Sequence, residues 1–182
     1  MLKYILLKIL GDYMKKMTKG FITATLSLGL LLNTGSLAFA GDRGAPDRPA
    51  MITLKKIQKE TAKLNAKQKQ LYYENVLNGI VKEAKKEKSV VGQIKVIHDR
   101  LAGRIMYDYA TADKTKGATK ESYTKRGAII NGQGVSQGYA EVFRDVLTRA
   151  GITNKLLSND KKSHYWNLVK VDGNYYHIDL TW

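Results

Sequence analysis

A serine, a histidine and an aspartate in the last third of the chain have the types and the spacing that acyl transfer requires. Ser136 follows the glycine-rich stretch NGQGV, and His164 and Asp179 lie on two consecutive predicted strands. Nucleophilic catalysis of this kind needs a hydroxyl or thiol, a histidine that accepts its proton and a carboxylate that orients the histidine. We therefore take Ser136, His164 and Asp179 as candidate nucleophile, base and orienting group.

The segment after Gly134 predicts the helix that presents Ser136. Unsatisfied N–H groups and the positive end of the helix dipole stabilise negative charge at such a position. Serine is also a favoured N-cap residue, so a purely structural capping role is the alternative, and the local sequence alone favours it. Apolar residues keep the helical period until Gly151 ends the pattern, and these residues are Tyr139, Val142, Phe143, Val146, Leu147 and Ala150.

One turn decides whether His164 and Asp179 can meet. Asp-Gly at 172–173 separates two alternating strands, SHYWNLVKV and NYYHIDL, which is typical of a two-residue hairpin loop. This register makes His164 and Asp179 diagonal neighbours on one face, about 7–8 Å apart at the backbone. A loop that is one residue longer would place them on opposite faces.

Two other histidines are weaker candidates for the base. His98 stands beside Asp99 inside a predicted helix and is interpreted as an ordinary helix residue. His177 shares the Asp179 face in the predicted register and is the rival to His164. Its nearer cross-strand partner is the apolar Leu168.

The chain before these strands predicts helices. Residues 51–88 predict two helices, with Asn65 as the cap of the second, and Ser89 predicts the cap of a third. The stretch ITNKLLS predicts a further strand, so the fold class is α+β with N-terminal helices and an antiparallel sheet. The apolar residues assigned to the first two helices are Leu54, Ile57, Leu64, Leu71, Val76, Ile80 and Val81, and those of the third are Val90, Val91, Ile94, Ile97, Leu101 and Ile105.

Residues 1–40 are predicted to be a signal peptide. From Met14, a second candidate start, the chain has basic residues, an apolar run over 21–32 and the small-residue site Ala-Phe-Ala ending at Ala40. The run is shorter than the roughly 20 residues of a membrane span, so a retained anchor is the less favoured alternative. We expect a secreted protein with no stable membrane span after processing, and a flexible leader over residues 41–50, which hold both prolines.

Charge and cysteine content narrow the partners and the chemistry. The chain has no cysteine, which excludes disulfides and a cysteine nucleophile, and its net charge is +15. This charge favours an anionic partner such as a cell-wall polymer, although a solvated lysine-rich face explains it equally well. No nucleic-acid motif accompanies the charge, so nucleic acid is set aside as a partner. No cofactor and no metal site are predicted.

Three linked stretches resemble the bacterial transglutaminase-like proteins, papain-fold relatives of transglutaminases and peptidases. They are IHDRLAGRIMYDY, GQGVSQGYAEVFRDVLTRAGI and HYWNLVKVDGNYYHIDLTW, within residues 90–182. The family typically shows Gly-Val-Cys-x-Gly-Tyr-Ala, His-Ala-Trp-Asn and Asp-x-Thr-Trp there. The resemblance places Ser136 at the family's cysteine, His164 at its histidine and Asp179 at its aspartate. It implies a core over residues 89–182 in which the nucleophile helix packs on the sheet.

Two departures from the family pattern bear on activity. The nucleophile position holds serine, and the sequence stops at Trp182 where family members usually continue, so a truncated core is expected. A thiol with a pKa of about 8.5 is readily ionised at a helix N-terminus, whereas a hydroxyl needs a neutral histidine to take its proton and a well-placed oxyanion hole.

We therefore expect a secreted transglutaminase-like or protease-like domain that acts on, or binds, amides of proteins or cell-wall peptides. Its activity is expected to be weak or absent because of Ser136. Backbone N–H groups at the helix start, with Gln133 as a helper, would hold the oxyanion. The alternative is a non-catalytic module that binds protein or cell wall, and the sequence leaves enzyme and pseudoenzyme both open.

Overall fold

Three helices form the first part of the chain that the structure describes. The computed structural model describes residues 48–181, so the predicted signal peptide and its cleavage site lie outside the described residues. The helices are α1 (Arg48–Thr61), α2 (Ala66–Ala84) and α3 (Val90–Ala102). Over the described residues no helix is both long and apolar enough to cross a membrane.

The ends of these helices follow local signals. Asn65 caps α2 in a capping box, accepting from the backbone of Gln68 while the Gln68 side chain accepts from Asn65, and Ser89 caps α3 by accepting from Gly92. Both predicted caps are confirmed. Because α1 begins at Arg48, the last three residues of the segment predicted as a leader are helical. A proline at 49 is compatible with this, since the first turn of a helix does not use its N–H groups.

Short elements connect the helices to the second half of the fold. They are β1 (Met106–Tyr107), α4 (Tyr109–Ala112), a 3₁₀ turn (Lys120–Tyr123), α5 (Lys125–Asn131) and β2 (Gln133–Gly134). Strands β1 and β2 pair in parallel, with Tyr107 opposite Gly134. The sequence did not predict this two-residue pairing.

A long helix and an antiparallel sheet complete the fold. They are α6 (Ser136–Arg149), β3 (Asn154–Ser158), β4 (Tyr165–Val171) and β5 (Asn174–Ile178), with the strands in the order β3-β4-β5. The turn residues Asp172 and Gly173 have φ values of 49° and 83°, as a type I′ hairpin requires. Val171 pairs with Asn174, which confirms the predicted register, and the arrangement confirms an α+β fold with N-terminal helices.

Helix α6 is the centre of the core. It packs against α2, α3 and α5 on one side and against β3 and β4 on the other. Its fully buried side chains are Val142, Phe143, Val146 and Leu147.

The core face of α2 agrees with the prediction at Ile80 and differs from it at Leu71. Tyr73, Leu77, Ile80 and Ala84 are buried, whereas the predicted Leu71 is 60% exposed. The buried residues step by four, three and four, which is one helical face, and Leu71 is about 200° around the helix from Tyr73.

Candidate active site

Ser136 is the first residue of α6 and is nearly buried, with 4% of its surface exposed. The N-cap residue is Val135, and no side chain caps the helix, so the capping role considered for Ser136 is wrong. The first helical hydrogen bond runs from Tyr139 N to Val135 O. The N–H groups of residues 136–138 therefore have no acceptor within the helix and form the positively polarised end of α6.

Backbone hydrogen bonds hold the loop that leads into Ser136. Asp108 N donates to Gly134 O at 3.0 Å, and Val135 N donates to Ser122 O at 2.9 Å. The residues immediately before Ser136 are thus tied both to the segment after β1 and to the 3₁₀ turn. This fixes where α6 begins.

A buried carboxylate organises the two segments that hold this loop. Asp108 Oδ2 accepts from the Ser122 hydroxyl at 2.5 Å and from the Thr111 hydroxyl at 2.6 Å, and Oδ1 accepts from Thr111 N at 3.0 Å. Burial favours the neutral acid, but the hydrogen bonds from Ser122 and Thr111 prevail and lower the pKa of Asp108. Asp108 therefore acts as a charged acceptor that joins α4 to the 3₁₀ turn.

Close packing at the start of α6 requires glycine. A Cβ atom on Gly138 would lie 2.5 Å from the carbonyl oxygen of Ser122, a distance that real contacts do not reach. Gly132 has a φ of 69° at the end of α5, a left-handed conformation that favours glycine. Backbone geometry thus explains the glycines at positions 132 and 138.

His164 and Asp179 are in direct contact. His164 Nε2 lies 2.6 Å from Asp179 Oδ2, with 31% of the histidine side chain and 10% of the aspartate side chain exposed. Asp179 Oδ1 accepts from the backbone N and the hydroxyl of Thr181, at 3.0 and 2.6 Å. The carboxylate is therefore fixed on one side by Thr181, and it fixes the imidazole on the other. With Nε2 engaged by Asp179, Nδ1 is the nitrogen through which His164 can act as a base.

An indole ring covers the imidazole. The rings of Trp166 and His164 are stacked with centroids 5.8 Å apart and an interplanar angle of 22°. Trp166 Nε1 donates to His177 Nδ1 at 2.8 Å, and His177 is opposite Leu168 in the sheet. His177, the rival candidate, thus supports Trp166.

His98 has a local partner on its own helix. His98 Nδ1 lies 3.1 Å from Asp99 Oδ1 on α3. This contact is between sequence neighbours, and it agrees with the interpretation of His98 as an ordinary helix residue.

Tyr107 is a feature that the sequence analysis did not single out. Its ring lies 5.0 Å from that of Tyr109 and 6.3 Å from that of Tyr139 on α6. Burial raises the pKa of Tyr107, and nearby negative groups, Asp179 among them, raise it further. Tyr107 therefore keeps a neutral hydroxyl. The aromatic stretch IMYDY was the signal in the sequence.

Gln133 lies on β2, three residues before Ser136. Its Oε1 is 3.5 Å from Nε2 of Gln58 on α1, a long hydrogen bond. That contact uses the amide oxygen and leaves the role of the amide nitrogen unassigned. An oxyanion role for Gln133 stays a prediction.

The contacts of the described residues bring two of the three predicted residues together. The structure joins His164 and Asp179 directly, and it places Ser136 at the start of the helix that packs on β4, the strand that His164 immediately precedes. Their catalytic roles stay predictions. In the part of the chain that is described, no group of three or more histidine, cysteine, aspartate or glutamate side chains is arranged to hold a metal ion.

Comparisons with known proteins support the fold alone. No protein-family model matches the sequence, and no curated protein sequence matches it. A solved structure described as the "Crystal structure of a TGase" is similar, with a TM-score of 0.52 and 15% sequence identity. The match covers 74% of this chain and 38% of that chain, so it spans well under half of the neighbour. The chain therefore has a transglutaminase-like fold.

Proposed function

We propose that this chain is a bacterial transglutaminase-like or protease-like domain in which serine occupies the position of the nucleophilic cysteine. Ser136 is its nucleophile or the relic of one, His164 its base and Asp179 the group that orients the base. The observation that carries the proposal is the 2.6 Å contact between His164 Nε2 and Asp179 Oδ2, in a sheet that packs on the helix beginning with Ser136. The chemistry is acyl transfer from amides of proteins or cell-wall peptides.

The roles follow from the chemistry of the three groups. Asp179 keeps the proton of a neutral His164 on Nε2, so that Nδ1 can accept the proton of the attacking group. The same carboxylate stabilises the imidazolium that forms. Backbone N–H groups at the start of α6 can stabilise the oxyanion of a tetrahedral intermediate, with Gln133 as an additional donor.

Serine makes this machinery weak. A hydroxyl is a far weaker acid than a thiol, so the helix N-terminus and the histidine cannot ionise it before substrate binds. Concerted proton transfer to His164 is then required, and Ser136 is nearly buried in the structure. We propose that the parent protein turns over amide substrates slowly or only binds them.

The test compares the parent with two substitutions at one position. Hydrolysis and amine transfer are measured on glutamine-containing and wall-derived peptides for the parent, Ser136→Ala and Ser136→Cys. The proposal expects little activity in the parent, none in Ser136→Ala, and a gain in Ser136→Cys. If the parent is fully active and Ser136→Ala abolishes that activity, the protein is instead an efficient serine enzyme.

Export belongs to the same proposal. Processing after Ala40 would leave Gly41 at the N-terminus of a secreted protein, which mass spectrometry of the culture medium can check. An intact residue 1 or 14 on cytoplasmic protein would contradict it.

A non-catalytic binding module is the second candidate, and the surface of α1 favours it. Lys55, Lys56 and Lys59 are exposed there together with Ile52, which is 65% exposed. We propose an anionic cell-wall polymer as the partner of this surface. Binding should weaken steeply as salt rises, because the screening length falls from roughly 30 Å at 0.01 M to roughly 10 Å at 0.1 M. Lys55→Gln with Lys59→Gln should weaken binding more than Lys155→Gln on β3, and equal effects or insensitivity to salt would contradict the proposal.

A further inference from the structure

Asn167 is a polar residue in a buried row of the sheet. It lies in the middle of β4 and is 0% exposed. Val169 and Val171 follow it on the same face of the strand and are also buried. Burying a polar group at such a position costs free energy unless the group is hydrogen-bonded.

Only part of the Asn167 amide is satisfied. Nδ2 donates to the carbonyl oxygen of Ala140 on α6 at 3.1 Å. Oδ1 is buried and has no hydrogen-bond partner within the described residues. An apolar side chain of similar shape would avoid the cost of the unpaired oxygen. The stability of the core therefore does not account for an asparagine here.

The hydrogen bond joins α6, which begins with Ser136, to β4, the strand that His164 immediately precedes. Ala140 follows Ser136 by four residues, roughly 6 Å along the helix axis. Asn167 follows His164 by three residues, roughly 10 Å along the chain of β4. Apolar contact between a helix and a sheet is non-directional, whereas a hydrogen bond sets both a distance and a direction. The bond from Asn167 to Ala140 therefore limits how far α6 can slide along β4.

We infer that Asn167 is a positioning residue whose hydrogen bond to Ala140 sets the approach of the residue at position 136 to the imidazole of His164. This inference rests on the proposed function, because it assumes that residue 136 and His164 act as a pair. Asn167 acts through this bond and is assigned no contact with substrate or with the reacting atoms. Losing this bond leaves residue 136 on α6 and His164 before β4, but it lets the distance between them vary.

The thiol pKa of Ser136→Cys reports this separation, and it is measured from the pH dependence of alkylation by iodoacetamide. Asn167→Leu in that background removes the hydrogen bond and keeps the number of side-chain heavy atoms. We expect the thiol pKa to rise by about one unit toward the unperturbed value of about 8.5, so that alkylation near pH 6 slows roughly tenfold. The matched control is Val169→Ala on the same buried face, which should lower the thermal midpoint and leave the thiol pKa unchanged.

Several outcomes would overturn the inference. One is a folded Asn167→Leu protein whose thiol pKa equals that of the Ser136→Cys parent, and another is a Val169→Ala protein whose pKa shifts equally. If Asn167→Leu does not fold, Asn167→Ala replaces it under the same criterion. If neither folds, Asn167 is required for the core and the inference is wrong. If the thiol pKa of Ser136→Cys is ordinary with Asn167 intact, the proposed function and the inference are both contradicted. If that pKa is depressed and Asn167→Leu does not change it, only the inference is contradicted.

Discussion

The hydroxyl of Tyr73 on α2 donates a 2.7 Å hydrogen bond to Asp145 Oδ2 on α6, and this contact is the centre of a charged network. Lys125 on α5 and Arg149 on α6 bind the same carboxylate, at 2.7 and 2.8 Å. Burial opposes ionisation of Asp145, but its hydrogen bonds from Arg149, Lys125 and Tyr73 prevail and lower its pKa to about 2. Helices α2, α5 and α6 are thus joined through one ionised aspartate.

This network predicts a pH-dependent contribution to stability. Because the folded-state pKa of Asp145 lies below its ordinary value, the contribution is fully present above about pH 4 and is lost as the pH falls toward 2. Asp145→Asn should lower the free energy of unfolding at pH 6 by about 2 kcal/mol, and the gap from the parent should close near pH 2. Urea unfolding at both pH values measures this. The control is Asp160→Asn in an exposed turn, whose free energy of unfolding should differ from that of the parent by the same amount at both pH values. If Asp145→Asn behaved in the same way, the network would contribute nothing to the pH dependence.

Two glycines in helices predict opposite effects of the same substitution. Gly138→Ala at the start of α6 places a Cβ 2.5 Å from Ser122 O, so we expect destabilisation by about 1–3 kcal/mol. A Cβ on Gly79 in α2 meets nothing within 4 Å, so Gly79→Ala should stabilise by about 1 kcal/mol through helix propensity. Thermal unfolding of both proteins tests this pair. A Gly138→Ala protein as stable as Gly79→Ala would refute the close approach.

The carboxylate of Asp108 predicts a local effect on the loop before Ser136. Asp108→Asn presents an amide nitrogen where one oxygen accepts from two hydroxyls, so we expect a loss of about 1–3 kcal/mol of stability. Because Ser122 O accepts from Val135 N, amide hydrogen exchange at Val135 should speed up more than that of the strands β4 and β5. Uniform acceleration across the fold would show that Asp108 stabilises the whole core without holding this loop in particular.

Features coded by neighbouring residues could be predicted from the sequence. The caps at Asn65 and Ser89 depend on contacts three residues away, and the Asp-Gly turn at 172–173 sets the register of the hairpin. That register brings His164 and Asp179 together, so this part of the candidate site also followed from a local signal.

Features that depend on distant packing could not be predicted. The sequence at 71–73 is Leu-Tyr-Tyr, and any of the three could face the core. Tyr73 is the buried one because it packs against α6, where Asp145 accepts a hydrogen bond from its hydroxyl. The Asp108 site needs Ser122, fourteen residues further along an irregular segment that no periodicity describes. Asn167 ends the HYWN stretch that resembles His-Ala-Trp-Asn, but its bond to Ala140 on α6 could not be predicted from the strand alone.

The most direct measurement of the central claim is the thiol pKa of Ser136→Cys with and without His164. The account predicts a thiol pKa well below about 8.5, because the start of α6 and His164 both favour the thiolate, so that iodoacetamide reacts well below pH 8. His164→Ala in the same background should raise the thiol pKa toward that value, and Asp179→Asn should raise it less. A thiol near pKa 8.5 that is indifferent to His164→Ala would contradict the claim that position 136, His164 and Asp179 form one site.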